Sequence, residues 1–427
     1  MANQLDTVFG REGFYRVSRD DGGQWKLLGP DGQPFCFRGV CGVNRAGTPG
    51  GRLAKDGPYA ESVDRKYDYP RSPQAFVEAT LGRLQDWGFN ALGAWVTEEF
   101  FDQGMAWTEI LECNKAGVPP IQGPGVKLPD VFDPQWEEAI DRVAAKLCAP
   151  MRDSCELIGY YTDNELGWGQ GNTDLIWGAP ETVNLRGPTL LQACLGLEQD
   201  RPARDAAWKF VLERHGSVAA MVAAWGLEGV SSPEDLGRMT SGGQAISTPG
   251  YGADQEAFST FYARQYLEKT AAAIRRYDPN HLILGCRFGA PPGDAALAAF
   301  EHPRVDVISA NNYRRNMAER MQAYYGPTGL PILIGEFAWA SPPFTHPEHW
   351  PPEAAGRNVE DFVTEAGPAA LHDGMSHPGV VGYTWYRWVK APTEGISYGL
   401  VDYNDEPVEF NIRLLREANA ALEEALV

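Results

Sequence analysis

Residues Leu157 to Gly169 read LIGYYTDNELGWG. The apolar run stops abruptly at Asp163-Asn164-Glu165, the pattern expected of a buried parallel strand that delivers polar side chains to the mouth of a barrel. Glu165 is therefore a candidate for one half of a catalytic carboxylate pair. Its partner must come from another strand end, and Glu336 closes the comparable run Pro331-Ile332-Leu333-Ile334-Gly335. A functional reading depends on both.

Outward from this stretch, eight strands can be counted. Phe35 to Val43 is the first, Phe89 to Trp95 the second and Ala106 to Leu111 the third, with Glu165 at the end of the fourth. His281 to Phe288 is the fifth, and Val305 to Ala310 is the sixth, ending at Asn311-Asn312-Tyr313. Glu336 ends the seventh, and Val380 to Trp385 is the eighth. Apolar residues at helical spacing predict a helix from Ser72, its N-cap, through Phe76, Ala79, Leu81 and Leu84 to Trp87-Gly88. Further helices are expected over Gln135 to Cys148 behind an Asp133 cap, Gln255 to Tyr277, Met317 to Tyr325 and Asn358 to His372. Strand and helix alternating at this spacing predict an α/β protein, a (β/α)8 TIM barrel.

Two segments stand apart from that rhythm. Residues 1–34 are expected to form a β-meander with turns at Asp20 to Gly23 and Asp31-Gly32, packed as a lid on the closed end of a catalytic barrel over residues 35–427. Residues 169–250 are expected to form a helical insertion after strand four, in which Ala203 to Trp225 contains two helical patterns joined at His215-Gly216. Its place after a strand end puts it on the catalytic face.

A formal net charge of -20, from 37 Lys plus Arg against 57 Asp plus Glu, argues against nucleic acid as a partner. Thirteen Trp and seventeen Tyr offer flat apolar faces that suit the C–H faces of sugar rings as well as a large core. Met1 to Glu12 is polar, and nothing approaches the roughly 18 apolar residues of a membrane span. No membrane partner is expected, and the localisation expected is cytoplasmic unless a signal peptide has been removed. Seven Cys lack C-x-x-C or Cys/His ligand spacing, and the odd count fits reduced thiols. Gly47, Gly50 and Gly51 lack the spacing of a nucleotide-binding loop, and His is scarce at strand ends, so neither cofactor nor metal is expected. Asp402, Asp405 and Glu406, followed by Pro407, read as a turn, and His215 reads as a helix-end residue. A homo-oligomer is left open.

In a parallel barrel all strand C-termini surround one opening, so Glu165 and Glu336 can face each other although they lie in different halves of the chain. Carboxylates about 5 to 5.5 Å apart across a sugar permit double displacement with retention, one as nucleophile and the other as acid and then base. The plainer readings are that Asp163-Asn164-Glu165 caps a following helix and that Glu336 is a satisfied structural acid. Their joint occurrence at the ends of strands four and seven favours the pair.

Asn164-Glu165 and Gly335-Glu336 resemble the acid/base and nucleophile motifs of the clan A retaining glycoside hydrolases. Within that clan, DNELGWG, FVLERHGSVAAMVAAWG and LGCRF most resemble the family 50 β-agarases and, less closely, the family 42 β-galactosidases, over roughly residues 35 to 405. The resemblance implies a TIM barrel with Glu165 as acid/base and Glu336 as nucleophile. It further implies that Asn164 bonds the sugar 2-hydroxyl, Tyr313 contacts the nucleophile and Trp385 forms the platform under the sugar at the cleaved bond. Trp95 and Arg287, at strand ends, are candidates to line the site, and Trp168, Trp339, Tyr386 and Trp388 are candidates for distal platforms. The function expected is that of a retaining, agarase-like β-glycosidase on galactose- or glucose-containing oligosaccharides. Exo action is expected because loops at residues 45–70 and 169–250 would close the cleft. The competing expectations are an endo-acting β-glycanase with an open cleft, a non-catalytic carbohydrate-binding barrel, and a metal-dependent barrel enzyme.

Overall fold

Eight parallel strands close into a barrel in chain order: Phe37–Val40, Ala91–Leu92, Ala106–Ile110, Leu157–Asn164, Leu282–Phe288, Ile308–Asn311, Ile332–Phe337 and Val380–Trp385. The eighth strand returns to the first, Gly382 pairing with Phe37 and Trp385 with Val40. The computed structural model describes residues 8–50, 55–123, 125–169, 188–301 and 304–424, together with the backbone of the short strands Asn172–Asp174 and Thr182–Asn184. Alternate residues of each strand face inward, and Phe37, Cys41, Ala91, Ile110, Tyr161, Leu284, Leu333 and Val381 belong to the cluster that fills the axis. Phe37 takes so much of that space that a Cβ on Gly382 would stand 2.5 Å from its carbonyl oxygen, so only glycine fits there.

The N-terminal segment forms a three-stranded antiparallel sheet of Val8–Gly10, Arg16–Arg19 and Trp25–Leu28. Trp25 fixes it to the barrel. Its backbone N–H donates to the Pro378 carbonyl (2.8 Å) and its indole N–H to the Gly329 carbonyl (3.0 Å). Both acceptors lie just ahead of the eighth and seventh strands, so the sheet covers the end of the barrel opposite the acids.

Helices Pro73–Asp86, Pro134–Leu147, Pro249–Tyr277, Met317–Thr328 and Val359–Met375 follow the helical spacing, with boundaries moved by at most six residues. The Asp133 carboxylate caps the Gln135 N–H at 2.8 Å, whereas Ser72 stands at the cap position without a side-chain hydrogen bond. Two helices of ten residues or more among the described residues lie outside the expected pattern. Pro58–Tyr67 lies within the loop expected over residues 45–70, and Glu409–Glu424 closes the described chain. Between the second and third strands there is only the 3-10 turn Glu98–Phe100, and Phe101 stacked on Trp107 at 3.8 Å fills part of that flank.

The insertion falls partly outside the described residues. Its described part holds four helices, Leu190–Leu195, Pro202–His215, Val218–Trp225 and Pro233–Ser241. Gly216 and Gly226 end two of them with left-handed backbone. His215 ends its helix and bonds Asp254, which also accepts from Arg214 (2.6 Å) and Trp225 (2.7 Å). Asp254 belongs to the 29-residue helix Pro249–Tyr277, about 44 Å long. One rod thus carries the insertion at one end and packs on the barrel along the rest.

Asp402 to Glu406 is a turn, the Asp402 carboxylate accepting from the Asn404 and Glu406 N–H groups. Within it Asp405 is fully buried. It accepts from Tyr59 (2.8 Å), Tyr67 (2.6 Å) and Arg83 (3.0 Å), so the segment after strand eight is tied to the helices after strand one. Burial works against its charge, but Arg83 and the tyrosine hydroxyls outweigh burial and hold its carboxyl below the usual aspartate range. The contribution is therefore present above the unfolded pKa of about 3.9 and is lost as pH falls through the lower folded value. Asp405→Asn, which strands Arg83 beside a neutral amide, is expected to cost about 3 kcal/mol in denaturant unfolding at pH 7. The gap between variant and wild type should narrow below pH 4; an equal gap at both pH values would show that the charge plays no part.

Candidate active site

The fourth strand ends at Asn164, and Glu165 takes left-handed backbone (φ 51°) as its N–H donates to the Arg287 carbonyl at 2.8 Å. A non-glycine residue held there costs about 1 kcal/mol or more. The kink aims the Glu165 side chain over the barrel mouth, while Gly167–Trp168 turns away to pair with Val126–Leu128. No helix follows directly, which removes the helix-cap reading of Asp163-Asn164-Glu165. Asp163 is instead a buried support. It accepts from the Asn114 N–H and the Tyr266 hydroxyl, and burial, opposed by those two bonds, pushes its pKa up to about 7.

Arg287 is the centre of the site, with no exposed surface. Its Nη2 donates to the Gly335 carbonyl (2.6 Å) and lies 3.0 Å from Glu336 Oε1, and its Nη1 donates to Asn164 Oδ1 (3.1 Å). Trp95 covers it, the guanidinium carbon 4.6 Å from the indole centroid. Burial disfavours its charge, but Cys41 and the acids around it outweigh burial and keep it protonated. Arg287 therefore cannot line the cleft as expected, since it lies below the acids. Trp95 is mostly occupied in roofing it and lines the cleft with little surface.

Glu336, 4% exposed, ends up opposite Asn311 in the register of the sixth and seventh strands. Its Oε2 accepts a short hydrogen bond from the Tyr313 hydroxyl. Burial pushes its pKa up to about 7, with Arg287 pulling down, Glu165 pushing further up and Tyr313 pulling down again. Glu165 is likewise raised by burial, opposed by the Asn311 amide, which donates to its Oε1 at 2.8 Å, and by Arg287. The structure thus brings together Glu165, Glu336, Asn164, Tyr313 and Arg287.

Trp385 is not brought to the cleft. It has no exposed surface, donates to the Tyr398 carbonyl (2.8 Å) and packs 4.5 Å from Trp339 on the outer side of the strand. Strand parity is the reason: Thr384 faces inward, Trp385 outward, and Tyr386 inward again. Tyr386, half-buried, lies 6.2 Å from Tyr313 and 6.0 Å from Tyr398, a group of three rings that all feel the charge of Glu336. Of the four distal platform candidates, Trp168, Trp339 and Trp388 are buried in packing, and only Tyr386 keeps surface beside the acids. Sequence reading passed over Asn311 and Tyr398; a polar doublet ending strand six was the one visible signal, and nothing marked Tyr398. Among the described residues no group of three or more His, Cys, Asp and Glu side chains is arranged to hold a metal.

No family model matches the chain. Beta-agarase A of Vibrio sp. (strain JT0107) is 23% identical over 492 residues, taking in 98% of this chain and 46% of that protein. Beta-agarase B of the same strain is 23% identical over 359 residues, or 81% of this chain and 36% of the other. The chain therefore spans less than half the length of these curated relatives. Among solved structures, one described as a structural analysis of an exo-beta-agarase superposes with a TM-score of 0.75 at 21% identity, covering 97% of this chain and 65% of the other. The structure of PfGH50B gives 0.74 at 20% identity, covering 97% and 67%. At that identity the solved structures speak for the fold. The paired acids, the barrel and these relatives agree: among glycoside hydrolases, the chain is most like the family 50 β-agarases.

Proposed function

We propose that the chain is a retaining, exo-acting β-glycosidase that hydrolyses galactose- or glucose-containing oligosaccharides, with agar-derived ones first in line. One observation carries the reading: a single buried cation, Arg287, serves two acids, Glu336 buried and Glu165 half-buried. One negative charge balances it, so the neutral arrangement has one acid ionised and one protonated. Glu336 takes the charge because it holds the ion pair and the Tyr313 hydroxyl, whereas Glu165 receives only a neutral amide among the described residues. Glu336 then attacks the anomeric carbon as Glu165 gives its proton to the departing oxygen. In the second half Glu165 takes a proton from water, which displaces Glu336 and restores both acids. Asn164 presents its amide beside the acids for a sugar hydroxyl, and Tyr386 supplies the aromatic face assigned by resemblance to Trp385. Galactose is supported by the names of the relatives, beta-agarases A and B, and exo action by the exo-beta-agarase whose fold the chain shares.

Incubation with aryl β-glycosides and with agar-, porphyran-, galactan- and β-glucan-derived oligosaccharides should give a first-formed β anomer by NMR. Glu336→Gln should lose about 10³-fold or more of the activity. A first-formed α anomer would mean inversion and sink double displacement; binding without turnover would favour a carbohydrate-binding barrel.

The pH profile tests the assignment of charge. Glu336 must be ionised to attack, so kcat/KM should fall about tenfold per unit as pH drops below a limb near 7, well above the ordinary glutamate value. Tyr313→Phe removes a donor to the ionised form, which raises the pKa, so the limb should move to higher pH by about one unit. A limb that stays put or moves down in the variant would contradict Glu336 as nucleophile.

A further inference from the structure

Asn311 ends the sixth strand, 3% exposed, and its two sides face different chemistry. Its Nδ2 donates to Glu165 Oε1 at 2.8 Å and to Asn164 Oδ1 at 3.3 Å. Two acceptors on that side fix the amide's orientation, since a carbonyl there would face two oxygens. Its Oδ1 points instead toward Gly335, where a Cβ would stand 2.6 Å from it, 2.5 Å from Ser309 Oγ and 3.3 Å from Arg287 Nε. These three buried atoms have no hydrogen-bond partner among the described residues. A side chain at Gly335 would push Asn311 out of place, so the glycine before the nucleophile and the amide beside the acid share one space.

The backbone of Asn311 is as constrained as its side chain. Asn311 is the register partner of Glu336, and the N–H of Asn312 donates to the Glu336 carbonyl at 2.8 Å. Any shift of the strand carrying Glu336 is transmitted through Asn311 to Glu165. Glu165 Oε2, by contrast, makes no hydrogen bond among the described residues and is the oxygen left to carry the proton.

We propose that Asn311 is a positioning residue for proton delivery, holding Glu165 by Oε1 so that Oε2 faces the departing glycosidic oxygen and keeping that direction in step with the strand of Glu336. The proposal rests on the reading of Glu165 as acid/base. As Oε2–H gives up its proton to the leaving oxygen and the C–O bond to the sugar breaks, the electron pair left behind charges the Glu165 carboxylate. The Asn311 N–H then serves a charged acceptor in place of a neutral one. Its bond is stronger in the transition state than in the ground state, which is the condition for accelerating the step.

Positioning of an acid matters in proportion to how much the leaving group needs a proton, and this separates it from a structural role. The test compares kcat/KM for 2,4-dinitrophenyl, 4-nitrophenyl and phenyl β-galactosides in wild type, Asn311→Ala, Asn311→Asp and Glu165→Ala. Asn311→Ala is expected to lose about 10²-fold on the phenyl substrate while staying within about threefold on the dinitrophenyl one, which leaves unaided. Asn311→Asp keeps the shape and the Oδ1 acceptor but replaces the donor by an acceptor, so it should lose at least as much on the phenyl substrate, with an unfolding midpoint close to wild type. Equal losses on all three substrates, or none, would overturn the proposal. Azide separates the two failures. Should Glu165→Ala fail to yield β-galactosyl azide, the acid/base reading falls and this proposal with it; azide product together with a flat profile in Asn311→Ala removes this proposal alone.

Discussion

The buried guanidinium of Arg287 is the constraint on which the upper barrel depends. A cation with no exposed surface must find its compensation within the fold, and here it comes from Glu336, the Gly335 carbonyl and Asn164. Those partners sit on two strands, the fourth and the seventh, and Arg287 itself on the fifth, so the register of the barrel and the neutrality of its interior are one condition. The irregular pairing of the fifth strand with the fourth brings Arg287 opposite Asn164. Gly335 lets the neighbouring polar atoms approach, and Trp95 keeps water off from above. Two acids share this cation, which opposes the burial that sets both apart from ordinary surface carboxylates.

Much of this architecture is legible in sequence because it obeys simple periods. The runs Leu157 to Tyr161 and Pro331 to Gly335 carry no charged residue, since both faces of a barrel strand are covered, and the polar residues that follow each run mark the open end. What stayed hidden has physical reasons. The helix Pro58–Tyr67 carries charged residues through most of its length and follows a Gly/Pro-rich stretch, so its apolar spacing is faint. The second strand was legible but not its bounds, since it pairs through Ala91 and Leu92 alone, too short to show alternation. Trp385 and Tyr386 are adjacent aromatics of which only one can face the cleft, and parity along an irregular strand is settled by packing. Arg287 ends a strand as a substrate contact would, and whether it lies above or below the acids depends on four other strands.

The last strand is secured from outside as well as inside. Asn411 and Asn419 of the C-terminal helix bond Trp339, Tyr383 and the Trp87 carbonyl, and Asp405 ties the preceding turn to Tyr59, Tyr67 and Arg83. Closing a barrel requires its first and last strands to stay paired, and these polar contacts span that seam.

The described part of the insertion between residues 188 and 248 makes no hydrogen bond to either acid; among the described residues, what orients Glu165 and Glu336 comes from strand ends and the barrel axis. In evolutionary terms the molecule is divided in two. The ring of loops can be lengthened, shortened or exchanged while the contacts that hold Glu165 and Glu336 stay intact. A change at Arg287, Gly335 or Asn311 is exposed to selection whatever the glycan. Divergence among such barrels should therefore run fast around the rim and slowly at the axis, so that lineages with little overall identity keep the same interior.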